Sequence, residues 1–95
     1  MKFVILGFDG SEGETRRKVY RPAHLERMET LDGQGRVILA GPFTDKVGSL
    51  IVIEAASLEE AEAFANQDLY MVNGVFERVE VHPFMQVFPK HRQVQ

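Results

Sequence analysis

Cysteine is absent from this chain of 95 residues, and so is any long hydrophobic run. Without cysteine, the protein forms no disulfides and offers neither thiolate metal ligands nor a thiol nucleophile. The apolar run at residues 3–6 is far too short to span a bilayer. The N-terminus passes directly into a strand-like segment and lacks the apolar core and cleavage site of a signal peptide. We therefore expect a cytoplasmic protein.

Positive charge is also scarce, because 11 lysines and arginines face 14 aspartates and glutamates and give a net charge of -3. A protein that binds a phosphate backbone normally has an excess of basic residues, so nucleic acid is not an expected partner. Gly7, Gly10 and Gly13 lack the spacing of a dinucleotide-binding loop. The hydrophobic content of 44% is typical of globular proteins, and the length suits a single domain over residues 1–95.

Strand-like and helix-like segments alternate along the chain. Runs rich in β-branched and aromatic residues predict strands at 3–8, 36–40, 49–55 and 76–88. Between the first two strands, Leu25, Met28 and Leu31 recur at a spacing of three and predict a helix over 15–34. Pro22 lies inside this segment and should kink the helix or divide it in two.

Capping signals indicate where the helices begin and end. A capping box at residues 57–60 precedes a second helix, and residues 11–14 have the same spacing ahead of the first. Gly33 or Gly35 should end the first helix in the left-handed conformation. Asp68 is expected to cap a short turn that follows the second helix, since aspartate is a favoured cap residue.

The order β-α-β-β-α-β predicts a ferredoxin-like α+β fold, with a four-stranded antiparallel sheet and both helices on one face. Strands 1 and 3, which are apolar on both faces, should be central, and strands 2 and 4 should be edges. Pro83 suits an edge strand. The polar tail at 89–95, which includes His91, is expected to be frayed in solvent.

Two helices cover only one face of such a sheet. On the last strand, alternation places Phe76, His82 and Phe84 together on the uncovered face. With the apolar central strands, this face would form a larger hydrophobic patch than monomers usually expose. We therefore expect a homodimer in which the uncovered faces pack together, with His82 at the interface. The alternative is that loops or the tail cover this face.

Two polar side chains stand where the helical pattern points inward. His24 precedes Met28 by four residues and shares the apolar stripe of the first helix, and Asp68 follows Ala61 by seven. Both helices cover the same sheet face, so we predict that His24 and Asp68 meet in the groove between them. An Asp–His pair fixes the imidazole tautomer and raises its basicity, which suits proton transfer. A structural histidine and a plain cap residue are the alternatives.

Other residues are candidates for lining the same site. Arg21 is a candidate anion clamp, with a solvated arginine as the alternative. Gly41 and Pro42 form a corner where a substrate can approach the backbone, or simply a strand end. Tyr70 and Phe84 offer an aromatic wall, or ordinary core.

A metal site is not predicted. His24, Asp68 and His82 are possible ligands, but they lack the local spacing of known metal-binding motifs.

Several short motifs occur together in this chain. They are Arg-Pro-Ala-His-Leu at 21–25, Ala-Gly-Pro-Phe at 40–43, Asp-Leu-Tyr at 68–70 and Val-His-Pro-Phe at 81–84. With this combination the chain resembles the YciI-like (YCII-related) family along nearly its whole length. The resemblance implies a ferredoxin-like fold of the dimeric α+β barrel superfamily, with a site built on His24 and Asp68.

The resemblance also implies a type of chemistry. A dehydrochlorinase that acts on a chlorinated trihydroxybenzene belongs to the family, and muconolactone isomerase shares the fold. Lyase or isomerase chemistry on small cyclic compounds is therefore expected. The sequence departs from the family at Leu69, where proline is frequent, and in the short loop between strands 2 and 3, which is expected to open or reshape the site.

We predict a small enzyme in which His24, oriented by Asp68, moves a proton on a small cyclic compound without an organic cofactor. The alternative is a non-catalytic module that holds a small metabolite in the same groove.

Overall fold

Strands and helices follow one another in the predicted order, with one additional short helix. The computed structural model describes residues 1–90, so His91 and the rest of the predicted tail beyond that point lie outside the described residues. The elements are β1 (Lys2–Asp9), α1 (Gly13–Gly33), β2 (Val37–Pro42), β3 (Gly48–Glu54), α2 (Leu58–Asn66), α3 (Leu69–Val72) and β4 (Phe76–Phe84). The last strand therefore ends at Phe84 rather than at Phe88.

The four strands form one antiparallel sheet in the order β2-β3-β1-β4. β1 and β3 are the central pair, with Val4 opposite Val52 and Leu6 opposite Leu50. β2 and β4 are the edges, and Pro83 fits in β4 because an edge strand has one side without a ladder partner. The predicted ferredoxin-like α+β arrangement is confirmed.

The core lies between one face of the sheet and the helices. Alternate residues of the central strands point to this face: Phe3 and Ile5 from β1, and Ile51 and Ile53 from β3. The helices contribute Met28 and Leu31 from α1 and Ala61, Phe64 and Ala65 from α2. Both long helices thus cover the same face, as right-handed crossovers require.

α1 runs as one element through Pro22, so of the two predicted effects of this proline the division into two helices is wrong. Pro22 has no N–H to donate to the carbonyl of Lys18, four residues earlier in the helix. Both residues are exposed, so water can solvate this carbonyl. After the helix, Gly35 adopts the left-handed conformation with a φ of 73°. None of the described helices, α1 included, is long and apolar enough to cross a bilayer. The cytoplasmic location stays a prediction.

The helix caps agree with the sequence at α2 and differ at α1. The Ser57 hydroxyl accepts a hydrogen bond from the Glu60 backbone N–H at 3.1 Å, which confirms the capping box. At α1, Glu12 occupies the cap position, and its side chain accepts no hydrogen bond from the helix backbone. The N–H of Gly13 donates instead to the carbonyl of Gly10 at 2.9 Å, so a backbone turn satisfies this donor.

A β-bulge in β4 changes which side chains face the core. The register between β1 and β4 shifts so that Phe8 pairs with Arg78 but Asp9 pairs with Phe76. The extra residue, Glu77, turns Phe76 towards the helices, where it is buried. The placement of Phe76 on the uncovered face, which simple alternation predicts, is therefore wrong.

The other face of the sheet is not covered by any described helix. Its apolar side chains come from the three strands next to one another, namely Val4, Leu6 and Phe8 of β1, Leu50 and Val52 of β3, and Leu39 of β2. β4 adds a charged margin of Arg78, Glu80 and His82. We call these residues together the open face.

Candidate functional site

A cleft of about 500 Å³ opens between α1 and the β2–β3 edge of the sheet. This volume is within the range of sites that hold small molecules. α1 contributes Arg17, Arg21 and His24, which lie on one side of the helix because their spacing is four and three residues. The apolar part of the lining includes Leu25, Met28, Ile51 and Phe76.

His24 is held by stacking and by a carboxylate. Its imidazole stacks on the ring of Tyr70, with the centroids 3.8 Å apart and the planes at 8°. Its Nδ1 lies 3.6 Å from Oδ1 of Asp68, just beyond hydrogen-bond distance. Because Nδ1 is fully buried, Nε2 is the ring nitrogen left for a ligand in the cleft.

Asp68 is a buried carboxylate with a partner at each oxygen. Its Oδ1 accepts a hydrogen bond from the backbone N–H of Tyr70 at 2.8 Å, which confirms the predicted cap. Its Oδ2 lies 3.6 Å from Nη1 of Arg27, while Oδ1 also faces His24. The Asp68 side chain is only 5% exposed, and a carboxylate so deeply buried requires such partners.

Three buried polar atoms in this group make no hydrogen bond within residues 1–90: Nδ1 of His24, Nη1 of Arg27 and Oδ2 of Asp68. They belong to the two 3.6 Å gaps on either side of the carboxylate. A movement of about 0.5 Å would bring each gap within hydrogen-bond range. In the closed arrangement Asp68 would accept a hydrogen bond from Nδ1–H, which fixes the imidazole tautomer and leaves Nε2 as a hydrogen-bond acceptor.

Arg17 is fixed beneath the aromatic wall. Its guanidinium donates to both carboxylate oxygens of Asp9, at 2.6 and 3.3 Å, and to the hydroxyl of Ser49 at 3.1 Å. The same guanidinium lies 4.8 Å from the centroid of the Tyr70 ring. β1, α1 and β3 are thereby tied together at the ring on which His24 stacks.

The structure brings together most of the residues predicted for the site. His24 and Asp68 are neighbours, although the cleft lies between α1 and the β2–β3 edge rather than between the two helices. Four of the predicted substrate-binding residues line the cleft, namely Arg21, Gly41, Pro42 and Tyr70.

Phe84 does not line the cleft. It lies near the end of β4 opposite Lys2, in a separate depression that also includes Met1 and Pro83. The aromatic wall is formed by Tyr70 with Phe76, whose rings meet edge to face at 5.7 Å, because the bulge turns Phe76 inward.

Sequence reasoning missed Arg17, Arg27, Asp9 and Ser49. The signal for the two arginines was present, because Arg17 lies seven residues before His24 and Arg27 three after it, both on the same side of a helix. Nothing in the sequence links Asp9 or Ser49 to Arg17, because the contact depends on the pairing of β1 with β3.

His82 is far from the His24–Asp68 pair in this fold. It belongs to the open face, where its Nε2 lies 3.0 Å from Oε1 of Glu80. This hydrogen bond is the main cause of a lowered pKa at Glu80. The three side chains considered as metal ligands are therefore on opposite faces of the sheet.

Comparison with known proteins places this geometry in a family. Residues 1–85 match the model of the YCII-related domain. Protein YciI of Escherichia coli is 38% identical over 98 residues, covering 93% of this chain and 100% of the relative. An uncharacterized protein of Haemophilus influenzae is 32% identical over the same shares of the two chains.

A solved structure extends the likeness to three dimensions. It is the 5-chloro-2-hydroxyhydroquinone dehydrochlorinase of Burkholderia phenoliruptrix in complex with 2,5-dihydroxybenzoquinone. The TM-score is 0.79 at 26% sequence identity, covering 90% of this chain and 94% of that chain. The family model spans every described strand and helix, and we conclude that the chain belongs to the YCII-related domain family.

Proposed function

We propose that this protein binds a small cyclic or aromatic compound in the cleft and transfers a proton on it with His24, oriented by Asp68. The observation that carries the proposal is the position of the His24 imidazole. The imidazole lines an apolar cleft and stacks on Tyr70. Of its two nitrogens, Nδ1 faces the buried carboxylate of Asp68. This leaves Nε2 to exchange a proton with a ligand.

The solved relative supports the class of ligand. The dehydrochlorinase from Burkholderia phenoliruptrix acts on 5-chloro-2-hydroxyhydroquinone, and its complex holds 2,5-dihydroxybenzoquinone. Both compounds are six-membered rings that bear oxygen. A flat ring of this size suits a cleft of about 500 Å³ that has aromatic side chains in its wall.

The proposed step needs only the chain's own residues. Nε2 of His24 takes a proton from a ring hydroxyl or from a carbon beside a carbonyl, and the released electron pair forms a new double bond in the ring system. In an isomerisation, His24 returns the proton to another ring atom. In an elimination on an aromatic ring, His24 moves the proton from a hydroxyl to the ring carbon that bears the leaving group, which makes that ring a dienone. Removal of a second hydroxyl proton then forms a carbonyl and a ring double bond, and the leaving group departs as an anion with its own electron pair. Asp68 stabilises the imidazolium in both cases, and such catalysis contributes about 10²–10⁴-fold to the rate.

The function is tested with the two compounds named for the dehydrochlorinase, 5-chloro-2-hydroxyhydroquinone and 2,5-dihydroxybenzoquinone, and with related rings. We expect 2,5-dihydroxybenzoquinone to shift the NMR signals of cleft residues, and a panel of chlorinated and hydroxylated rings to yield chloride release or isomer formation. His24→Gln should lower turnover by about 100-fold or more while the protein stays folded. His82→Gln is the matched control, because His82 lies on the open face.

Two results separate the alternatives. If the ring compounds bind but no member of the panel reacts faster than in buffer, the protein is a non-catalytic binding module. Equal turnover by the His24→Gln and His82→Gln variants would exclude His24 as the proton-transfer group.

We also propose that two copies pair through the open face. The supporting observation is a set of neighbouring apolar side chains on three strands, of which Leu39 is 54% exposed and Val4, Leu6, Phe8 and Leu50 are partly exposed, while Val52 is buried. Burial of such a surface against its own copy by two-fold symmetry is the simplest way to remove it from water.

A further inference from the structure

We propose that the ligand of this cleft carries a carboxylate and that Arg21 is the residue that binds it. The inference rests on the proposed function, because it adds a charged substituent to the ring compound proposed there. Three features of the charge distribution around the cleft carry it.

The first feature is the sign of the charges in the lining. Three basic side chains line the cleft, namely Arg17, Arg21 and His24. Among the described residues, no carboxylate lines it. The chain as a whole has a net charge of -3. Because Arg17 is paired with Asp9, Arg21 is the arginine of the lining whose charge is not balanced within residues 1–90, and an unbalanced positive charge in a cleft raises the local concentration of anions.

The second feature is that Arg17 is already neutralised. Its guanidinium donates to both oxygens of Asp9 and to Ser49, and its side chain is only 12% exposed. A ligand carboxylate could bind Arg17 only by competing with a buried bidentate pair. Arg17 therefore positions the aromatic wall and is not the anion site.

The third feature is that Arg21 is left free. It is exposed, and within residues 1–90 it makes no ion pair or side-chain hydrogen bond. It also lines a smaller annex of about 300 Å³ that continues from the main cleft past Pro42. Two carboxylates also line the annex, but each has its own cation: Asp9 pairs with Arg17, and Glu14 lies 3.5 Å from the ammonium group of Lys46.

The spacing along α1 fits a ring acid. Arg21 precedes His24 by three residues, which is nearly one turn and about 5 Å along the helix axis. The distance between the two side chains along the helix is close to that across a substituted benzene ring. A ring that lies beside Tyr70 and Nε2 of His24 can therefore place a carboxylate at Arg21. The planar guanidinium matches the two oxygens of a carboxylate, which a lysine would not.

The experiment compares an acid with its neutral amide. The probes are 2,5-dihydroxybenzoate and 2,5-dihydroxybenzamide, which have the same ring and differ in charge. Their dissociation constants are measured by NMR titration against wild type, Arg21→Gln, Arg21→Lys and Lys18→Gln. Lys18 is the matched control, because it is an exposed cation on the same helix that does not line the cleft.

We expect wild type to bind the acid about tenfold more tightly than the amide, a ratio typical of one charge-assisted interaction. Arg21→Gln should abolish the ratio by weakening only the acid, Arg21→Lys should retain part of it, and Lys18→Gln should leave it unchanged. Thermal melts establish that each variant is folded, which the exposure of Arg21 leads us to expect.

Equal affinity of wild type for acid and amide, with both in the cleft, would overturn the carboxylate site and leave the proposed function intact. A ratio that survives Arg21→Gln would overturn the assignment to Arg21. If neither probe shifts a cleft signal, the ring-compound function itself is wrong, and the inference falls with it.

Discussion

Asp68 has two roles that different substitutions can separate. It caps α3 through the Tyr70 backbone N–H, and it faces His24 and Arg27 with its charge. Asparagine is as good a cap as aspartate but carries no charge, whereas alanine provides neither. The two variants therefore report on different parts of the same side chain.

We expect Asp68→Asn to change the free energy of unfolding by at most about 2 kcal/mol, in the usual range for point substitutions. Asp68→Ala should cost about 1–3 kcal/mol more, because it leaves the buried Tyr70 N–H without an acceptor. Combined with His24→Gln, Asp68→Asn should be non-additive by about 0.5–3 kcal/mol, since the two side chains act as one unit. Urea unfolding of wild type, the singles and the double measures the coupling.

A second cycle is the control for this coupling. Asp68→Asn combined with His82→Gln should be additive, because His82 lies on the open face. Additivity in the His24 cycle as well would mean that His24 and Asp68 do not interact energetically.

For single residues, the sequence predicts the direction of a side chain better than it predicts contacts with residues that are distant along the chain. Helical spacing predicts the direction of His24 on α1, whereas Asp68 lies past the end of α2 in an extended conformation and reaches His24 as the cap of α3. Arg17 points the same way by the same rule, yet its role depends on Asp9 and Ser49, which reach it from two other elements. Such contacts between distant segments require the register of the sheet.

Among the elements, β4 contains the largest departure from simple patterning. The bulge at Glu77 turns Phe76 into the cleft, and Gly7 on β1 makes the space for its ring. A Cβ on Gly7 would lie 2.5 Å from the Phe76 ring, which is closer than any van der Waals contact. Glycine at this position is therefore required by packing.

We expect Gly7→Ala to lower the free energy of unfolding by about 1–3 kcal/mol, the usual cost of overpacking a core. Gly33→Ala is the matched control, because a Cβ there meets no atom within 4 Å. It should be neutral or slightly stabilising. Denaturant unfolding distinguishes the two variants, and Phe76→Leu added to Gly7→Ala should recover part of the loss.

Equal stability of the two glycine variants would mean that the ring of Phe76 moves aside without cost. That result would leave the bulge in place but remove the packing argument for Gly7.

The elements themselves follow closely from the sequence. Apolar periodicity predicts α1, and the capping box predicts where α2 begins. The predicted cap of α1 failed because a backbone turn at Gly10 satisfies the helix donor. The bulge could not be predicted, because no residue type in the strand marks where two residues oppose one on β1, and the bulge reverses the expected face of Phe76, the residue before it.

For the whole molecule, the open face determines the expected assembly. We expect sedimentation equilibrium at micromolar concentration to give about twice the chain mass of 10.8 kDa. Leu39→Lys should shift the protein towards the monomer, because it places a charge on an exposed apolar position of that face. Val19→Lys is the control: Val19 is 67% exposed on α1, away from the open face, and its variant should remain a dimer.

A wild-type monomer that stays in solution and binds no hydrophobic dye would contradict the pairing. Loss of dimer in both lysine variants would instead indicate general destabilisation, which circular dichroism would detect.

The stacking of His24 on Tyr70 makes the cleft observable by intrinsic tyrosine fluorescence. The chain has no tryptophan and only two tyrosines, and Tyr20 packs in the same small cluster as Tyr70. Tyrosine fluorescence of the native protein therefore originates at Tyr70 in the wall of the cleft and at Tyr20, which packs in the same cluster. Emission from this protein should respond to what occupies that wall and to the protonation of the imidazole against it, without any attached dye.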